Sequence, residues 1–308
     1  MTPKIVTTRD GSQSLFSDRF QQHYHNISGA LTESRNVFFD NTGLTRALSE
    51  HRNFTLVEVG FGTGLHVVLL ECMRKRTGSR SQVHYYSVEK YPLTGDIVRR
   101  MNFDRICTGM GNVVGKLAEM LYTARKGQRA KVTLHPSDVT GDDSNRSAGV
   151  TDPAHSNMAS ATAAAPCDAT GLLVSGKHPD TETEPFTRVE VFRGDFHEWD
   201  LTGIQNPTDF ILHDAFSPNA NPDLWSVPVF KKLLAAAAQK AVLGTYCSAS
   251  KARAAMVLAG WHVARIPGPP GKREVTIASP DDSVLAGCKR VNESSLADRF
   301  RKELEVTD

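Results

Sequence analysis

Long apolar runs are missing from this 308-residue sequence. No stretch approaches the ~18 consecutive apolar residues of a membrane span, and Met1 to Arg9 lacks the apolar core of a secretory signal. A membrane partner is therefore not expected, and the cytoplasm is the expected location. Cysteine is scarce: Cys72, Cys107, Cys167, Cys247 and Cys288 are five, an odd number, widely spaced and without a CxxC pair. Neither a disulfide framework nor a zinc site has support in that pattern, so all are expected to be reduced thiols and no metal is expected. Charge of one sign is lacking too, since 36 basic residues face 34 acidic ones for a net charge of +2. That balance neither requires nor excludes nucleic acid, which responds to local clusters such as Arg74-Lys75-Arg76, Arg99-Arg100, Lys231-Lys232 and Lys272-Arg273. With 40% hydrophobic and 23% charged residues the chain can bury a sizeable core.

The run FTLVEVGFGTGLH, Phe54 to His66, carries the most information. A β-rich segment ends on an acidic residue, breaks into glycines and opens an apolar helix. Gly60, Gly62 and Gly64 permit backbone angles closed to side chains and let a ligand approach the main chain. The loop is not GxGxxG, and no Gly-Lys-Ser/Thr follows to hold phosphates. A bulky Phe61 between glycines, with Glu58 just upstream, suits an adenosine-and-amino-acid ligand such as S-adenosylmethionine better than a pyrophosphate. The next strand, VHYYSVEK, ends on Glu89, where a carboxylate can accept both ribose hydroxyls.

Two short strands, Lys4 to Thr8 and Ser14 to Ser17, flank the tight turn Asp10-Gly11 and read as a small β cap over residues 1–50. Strand and helix patterns then alternate: Phe54 to Val59, a helix from Leu65 to Arg76, Val83 to Val88, a helix after Pro92 and another over Asn112 to Arg125. Pro136 to Pro185 turns rich in Ser, Thr, Ala, Asp, Gly and Pro. It reads as a disordered insertion, bounded at 132–187, inside one domain of residues 51–283. Strands resume at Val189 to Phe192, Asp209 to His213 and Ala241 to Cys247, with helices at Val227 to Gln239 and Lys251 to Leu258. Trp261 to Ile266 and Glu274 to Ala278, joined by Gly268-Pro269-Pro270-Gly271, predict a terminal antiparallel pair, and residues 284–308 form a tail. The expected fold is a doubly wound α/β Rossmann-like sheet with an antiparallel edge, the layout of class I methyltransferases.

A second chemical feature, HDAFSPNANPDLW from His213 to Trp225, falls at the carboxyl end of a strand, where substrate meets cofactor in open sheets. Methyl transfer to an amine needs an uncharged, aligned lone pair, which is a matter of positioning. Asp214 can accept hydrogen bonds from that amine and stabilise the charge developing on it, and Phe216 can stack on a base. His213 is expected to pack beneath the loop. A helix cap or loop carboxylate is the plainer use of Asp214.

Together, GFGTGL, SVEKYPL, HDAFSPNANPDLW and GKRE, with TTRDGSQSL and YHNISGALTESRNVF near the start, resemble the methyltransferase part of the bifunctional tRNA-modifying MnmC family and its stand-alone relatives. The resemblance implies methylation of 5-aminomethyl-2-thiouridine at the tRNA wobble position. It also implies that Glu58, Gly60, Gly62 and Gly64 line the methionine part of S-adenosylmethionine, that Glu89 takes the ribose, that Asp195 lies near adenine, and that Phe61 and Lys90 also meet the cofactor. Asp214 would face the methionine ammonium or the acceptor amine. Tyr24, His25, Glu33, Lys272 and Arg273 would close over the pocket or meet tRNA, unless Arg273 simply pairs with Glu274. No flavin-binding oxidase segment is seen, so a separate enzyme is expected to supply the aminomethyl group and no FAD is expected. His66 departs from the family's usual asparagine, and Cys247 from a small hydroxyl residue. The rival readings are a methyl- or aminopropyltransferase acting on a small amine, and a non-catalytic scaffold that binds S-adenosylmethionine or RNA.

Overall fold

A computed structural model describes residues 3–140 and 183–304. Three short strands, β1 (Lys4–Thr7), β2 (Gln13–Ser17) and β3 (Gln22–His23), form an antiparallel sheet at the start of the chain. Helix α1 (Ala30–Ser34), a π-helical turn (Arg35–Asp40) and α2 (Leu44–Ser49) follow. Leu15, Val37, Phe38, Phe39, Leu44 and Leu48 are all buried in the same core that covers one face of the main sheet. Residues 3–50 are thus packed onto the central domain.

The main sheet has nine strands in the order β12-β10-β11-β9-β8-β4-β5-β7-β6. These are β4 (Phe54–Val59), β5 (Gln82–Glu89), β6 (Arg129–Leu134), β7 (Phe186–Arg193), β8 (Thr208–His213), β9 (Ala237–Thr245), β10 (His262–Pro267), β11 (Glu274–Ser279) and β12 (Lys289–Arg290). The central pairings β7-β5-β4-β8-β9 are parallel, and both flanks are antiparallel. Strands β4 and β8 are buried at every residue, as expected of parallel strands covered on both faces. On one face lie α3 (Leu65–Thr77), α4 (Gly95–Arg100) and α5 (Gly111–Thr123), and on the other α6 (Val227–Ala236), α7 (Ser250–Leu258) and α8 (Glu293–Leu304). This is the doubly wound arrangement, and the terminal pair forms with Val263 opposite Ala278.

Three readings are corrected. The insertion does not begin at residue 132 or run to 187. Residues 132–134 complete β6 and residues 186–187 open β7, with Leu134 opposite Thr187. The segment RAKVTL alternates polar and apolar positions, burying Ala130 and Leu134 while Lys131 faces out, which is strand periodicity. The remainder, 141–182, lies outside the described residues. The expected tail contains β12 and α8, whose Leu304 joins the core beside α7. Finally, Cys72, Cys107 and Cys247 are buried thiols, but Cys288 is disulfide-bonded rather than a thiol. Among the described residues no helix is long and apolar enough to cross a membrane.

Candidate active site

The carboxyl ends of β4, β5, β7 and β8 meet, and backbone bonds tie the loops that leave them. Asp214 N–H donates to Val59 O at 3.1 Å, Gly60 N–H to Val88 O at 3.2 Å and Gly194 N–H to Glu89 O at 3.1 Å. Gly60 has φ +95°, and a Cβ there would stand 2.9 Å from the Asp214 carbonyl oxygen. The glycine loop and the loop after β8 therefore touch main chain to main chain, an approach that only glycine allows.

A cavity of about 720 Å³ opens above this junction. Its floor includes Gly60, Phe61 and Gly62, and its walls carry Glu89, Lys90, Asp195, Asp214 and Phe216. Each Glu89 oxygen accepts one backbone N–H, Oε2 from Gly62 at 3.0 Å and Oε1 from Tyr91 at 2.8 Å. Burial raises the Glu89 pKa, and those two donors work against the rise. A carboxylate has about four acceptor sites, so sites remain for hydroxyls of a ligand. At the rim, Asp195 caps a short helical turn by accepting His197 N–H at 2.9 Å, and it pairs with Lys90 at 2.6 Å. Burial opposes its charge, yet Lys90 holds its carboxyl below the usual range.

The chain's opening segment roofs the cavity. Gln22 Nε2 donates to Ser217 Oγ at 2.7 Å, fastening β3 to the loop after β8. Phe20 stacks on Phe216 with ring centres 4.3 Å apart, and Tyr24 meets Phe216 edge-on at 5.1 Å. From below, Trp225 Nε1 donates to Phe216 O at 2.8 Å and Tyr246 OH to Ala215 O at 2.8 Å. The loop bearing Asp214 is thus fixed on three sides.

The electrostatic centre of the site is a buried group of ionisable side chains. His66, in the first turn of α3, is 2% exposed. Its Nδ1 lies 2.6 Å from Glu58 Oε1, its Nε2 3.1 Å from Ser34 Oγ and 3.9 Å from Asp214 Oδ2. Burial resists charging of this imidazole, but the bond to Glu58 and the charges of Glu58, Asp214 and Glu33 lift its pKa above the ordinary value. Burial also raises the Asp214 carboxyl well above the usual range, with Glu33 and Glu58 adding to the rise while His66 and Lys272 oppose it. Glu33 accepts Lys272 Nζ at 2.9 Å through Oε1 and Asn26 N–H at 3.1 Å through Oε2. His25, beside His66, is pushed down to about 3, chiefly by burial.

Of the residues singled out in the sequence, Tyr24, His25, Glu33, Gly60, Phe61, Gly62, Glu89, Lys90, Asp195, Asp214, Phe216 and Lys272 all line the one cavity. Three do not. Glu58 is 1% exposed and spends its carboxylate on His66 and on Ser87 Oγ at 2.8 Å, beneath the floor. Gly64 caps α3 under the Phe61 ring. Arg273 is exposed, and Glu274 pairs not with it but with Arg253 at 2.8 Å and Arg265 at 3.8 Å. His213 packs between Trp225 and Phe230 and lies within 2.9 Å of Leu224 O through Nε2. Sequence reasoning missed Phe20, Gln22 and the part played by His66. The last had a signal, since a histidine on the buried face of α3 requires hydrogen-bond partners.

Residues 174–281 match a family described as S-adenosyl-L-methionine-dependent methyltransferase. The tRNA 5-methylaminomethyl-2-thiouridine biosynthesis bifunctional protein MnmC of Burkholderia multivorans is 26% identical over 90% of this chain and 35% of its own length. Its counterpart from Ralstonia nicotianae is 28% identical over 86% of this chain and 32% of its own. The chain thus spans about a third of the length of these curated relatives. The crystal structure of MNMC2 from Aquifex aeolicus superposes with a TM-score of 0.60 at 19% identity, covering 97% of this chain and 75% of that one, which shows a shared fold. With an α/β sheet, a glycine-floored cavity at its carboxyl edge and these similarities, the chain has the fold of an S-adenosylmethionine-dependent methyltransferase and resembles the methyltransferase part of MnmC.

Proposed function

We propose that the protein methylates the exocyclic amine of 5-aminomethyl-2-thiouridine at the wobble position of tRNA, using S-adenosylmethionine. The observation that carries this reading is a deeply set carboxylate, Asp214, in the same cavity as the glycine floor and Glu89. The residues fit the donor: backbone at Gly60 and Gly62 without side chains, free acceptor sites on Glu89 for ribose hydroxyls, and Asp195 with Lys90 on the adenine side. When bound, S-adenosylmethionine supplies a methyl group on a positively charged sulfur. Asp214 accepts hydrogen bonds from the acceptor amine, aims its lone pair and stabilises the cation that forms on nitrogen. Phe216, braced by Phe20 and Tyr24, offers a ring against which the uracil can lie. Residues 1–50 act as the cap over residues 51–283, with His25, Glu33 and Lys272 closing the site and Arg273 outside it for a phosphate. The protein works in the cytoplasm, and a separate oxidase or other enzyme exposes the amine.

Incubation with labelled S-adenosylmethionine tests this. Label is expected to enter acid-precipitable tRNA from cells lacking the modification and not fully modified tRNA. Labelling of a small amine in place of either tRNA overturns it.

A further inference from the structure

The cavity accounts for Asp214 but leaves a question of charge: a carboxyl set this deeply, with Glu33 and Glu58 nearby, is under pressure to hold a proton. A protonated Asp214 would accept hydrogen bonds poorly and could not stabilise a developing ammonium. The structure places the His66 imidazole against it from inside the fold. His66 Nε2 stands 3.9 Å from Asp214 Oδ2, and its Nδ1 is held 2.6 Å from Glu58. Glu58 is an acceptor when ionised, so Nδ1 carries a proton; with a proton on Nε2 as well, the ring bridges two carboxylates.

We infer that His66 is a positioning residue: as an imidazolium clamped by Glu58 and Ser34, it holds Asp214 in the carboxylate form and fixes its orientation toward the acceptor amine. The inference rests on the proposed function for its consequence in turnover, though not for its electrostatics. Every charged or titratable neighbour is consistent with it. Glu58 comes from β4, and Ser87 and Tyr85 face Glu58 from β5. Glu33 and Ser34 come from α1, and Phe38 and Phe39 of the π-helical turn close the ring's sides. Glu33 is matched by Lys272. His25 stays neutral 6.5 Å away between ring centres, its charging opposed by burial and by His66 itself. Tyr246, whose hydroxyl is bonded to Ala215, is kept protonated by burial and by Asp214. Glu58 and Asp214 then carry two negative charges against one positive charge on His66, and Asp214, the one of the three acidic or basic groups that faces the acceptor, presents its negative charge to the cavity. The proton balance of turnover is unchanged: the acceptor ammonium loses a proton through Asp214 to solvent, its lone pair forms the new bond to carbon, and the carbon–sulfur bond breaks with its electrons going to sulfur.

The test is NMR of histidine-labelled protein, with the His66 signals identified by their loss in His66→Asn. His66 is expected to titrate above the ordinary histidine value of ~6.5, and Asp214→Asn and Glu58→Gln should each lower its midpoint by about one pH unit or more. In turnover, His66→Asn should move the acidic limb of the kcat profile upward by about one pH unit, as Asp214 loses its counter-charge. A His66 midpoint at or below ~6.5, a midpoint indifferent to Asp214→Asn, or an equal loss of rate at every pH would each overturn the inference. Should His66→Asn not fold, the signal is assigned through Glu58→Gln and Asp214→Asn, whose midpoints decide. If tRNA takes no label from the wild type, the proposed function fails while the titrations still judge His66.

Discussion

Substituting Gly60 by alanine tests the contact on which the site is built. At φ +95° an alanine pays the left-handed penalty, about 1–2 kcal/mol. Its Cβ would also lie 2.9 Å from the Asp214 carbonyl oxygen, a backbone atom that cannot swing aside, and forcing such a contact apart costs about 1–3 kcal/mol. The sum is a loss of about 2–5 kcal/mol. Gly78→Ala is the matched control, because that glycine has φ +62° with nothing within 4 Å of the added carbon. It should lose only the conformational part, about 1 kcal/mol. Urea unfolding followed by tryptophan fluorescence suits both, since Trp199, Trp225 and Trp261 are buried. Gly60→Ala should also displace Asp214, and a shift of about 1 Å at a reacting group costs on the order of 100-fold in rate. Equal stability losses in the two variants would show that the glycine loop and the Asp214 loop do not touch as described.

Asp214→Ala should leave the circular dichroism unchanged and reduce methyl transfer by at least ~100-fold; wild-type turnover would remove Asp214 from the reaction. Glu89→Gln should weaken S-adenosylmethionine about 10- to 100-fold in calorimetric titrations, the equivalent of one or two lost charge-assisted hydrogen bonds, and unchanged affinity would contradict the ribose assignment. His213, fully buried and pushed down to about 4 by burial, links stability to pH. The unfolded chain binds this proton near pH 6.5 and the folded one only near 4, so the contribution is whole above about 6.5 and falls by about 3 kcal/mol as the pH drops to 4. His213→Gln should flatten that part of the urea-measured profile, and an unaltered slope would contradict it.

The alternating core from Phe54 onward was readable because glycines and prolines punctuate its apolar periods, and the terminal pair because Gly268-Pro269-Pro270-Gly271 interrupts two such runs. β6 was not, since arginine and lysine interleave its small apolar residues and it runs on into a polar stretch. The sequence predicts a helix from Val227 to Gln239 because four consecutive alanines, Ala235 to Ala238, favour helix, whereas the sheet recruits β9 from Ala237. Within the site, the residue types at the strand ends pointed to Glu89 and Asp214, whereas Glu58 was read as lining and proves to sit beneath His66. Strand alternation cannot say whether a buried carboxylate faces a ligand or another side chain. That is decided by α3, which brings His66 over the end of β4.

The most direct test of the account is the identity of the methylated nucleoside. tRNA containing aminomethyl uridine is treated with the protein and labelled S-adenosylmethionine, digested, and resolved by liquid chromatography with mass spectrometry. The account predicts label in the methylaminomethyl uridine alone. Label in any other nucleoside, or none despite measured S-adenosylmethionine binding, would contradict it.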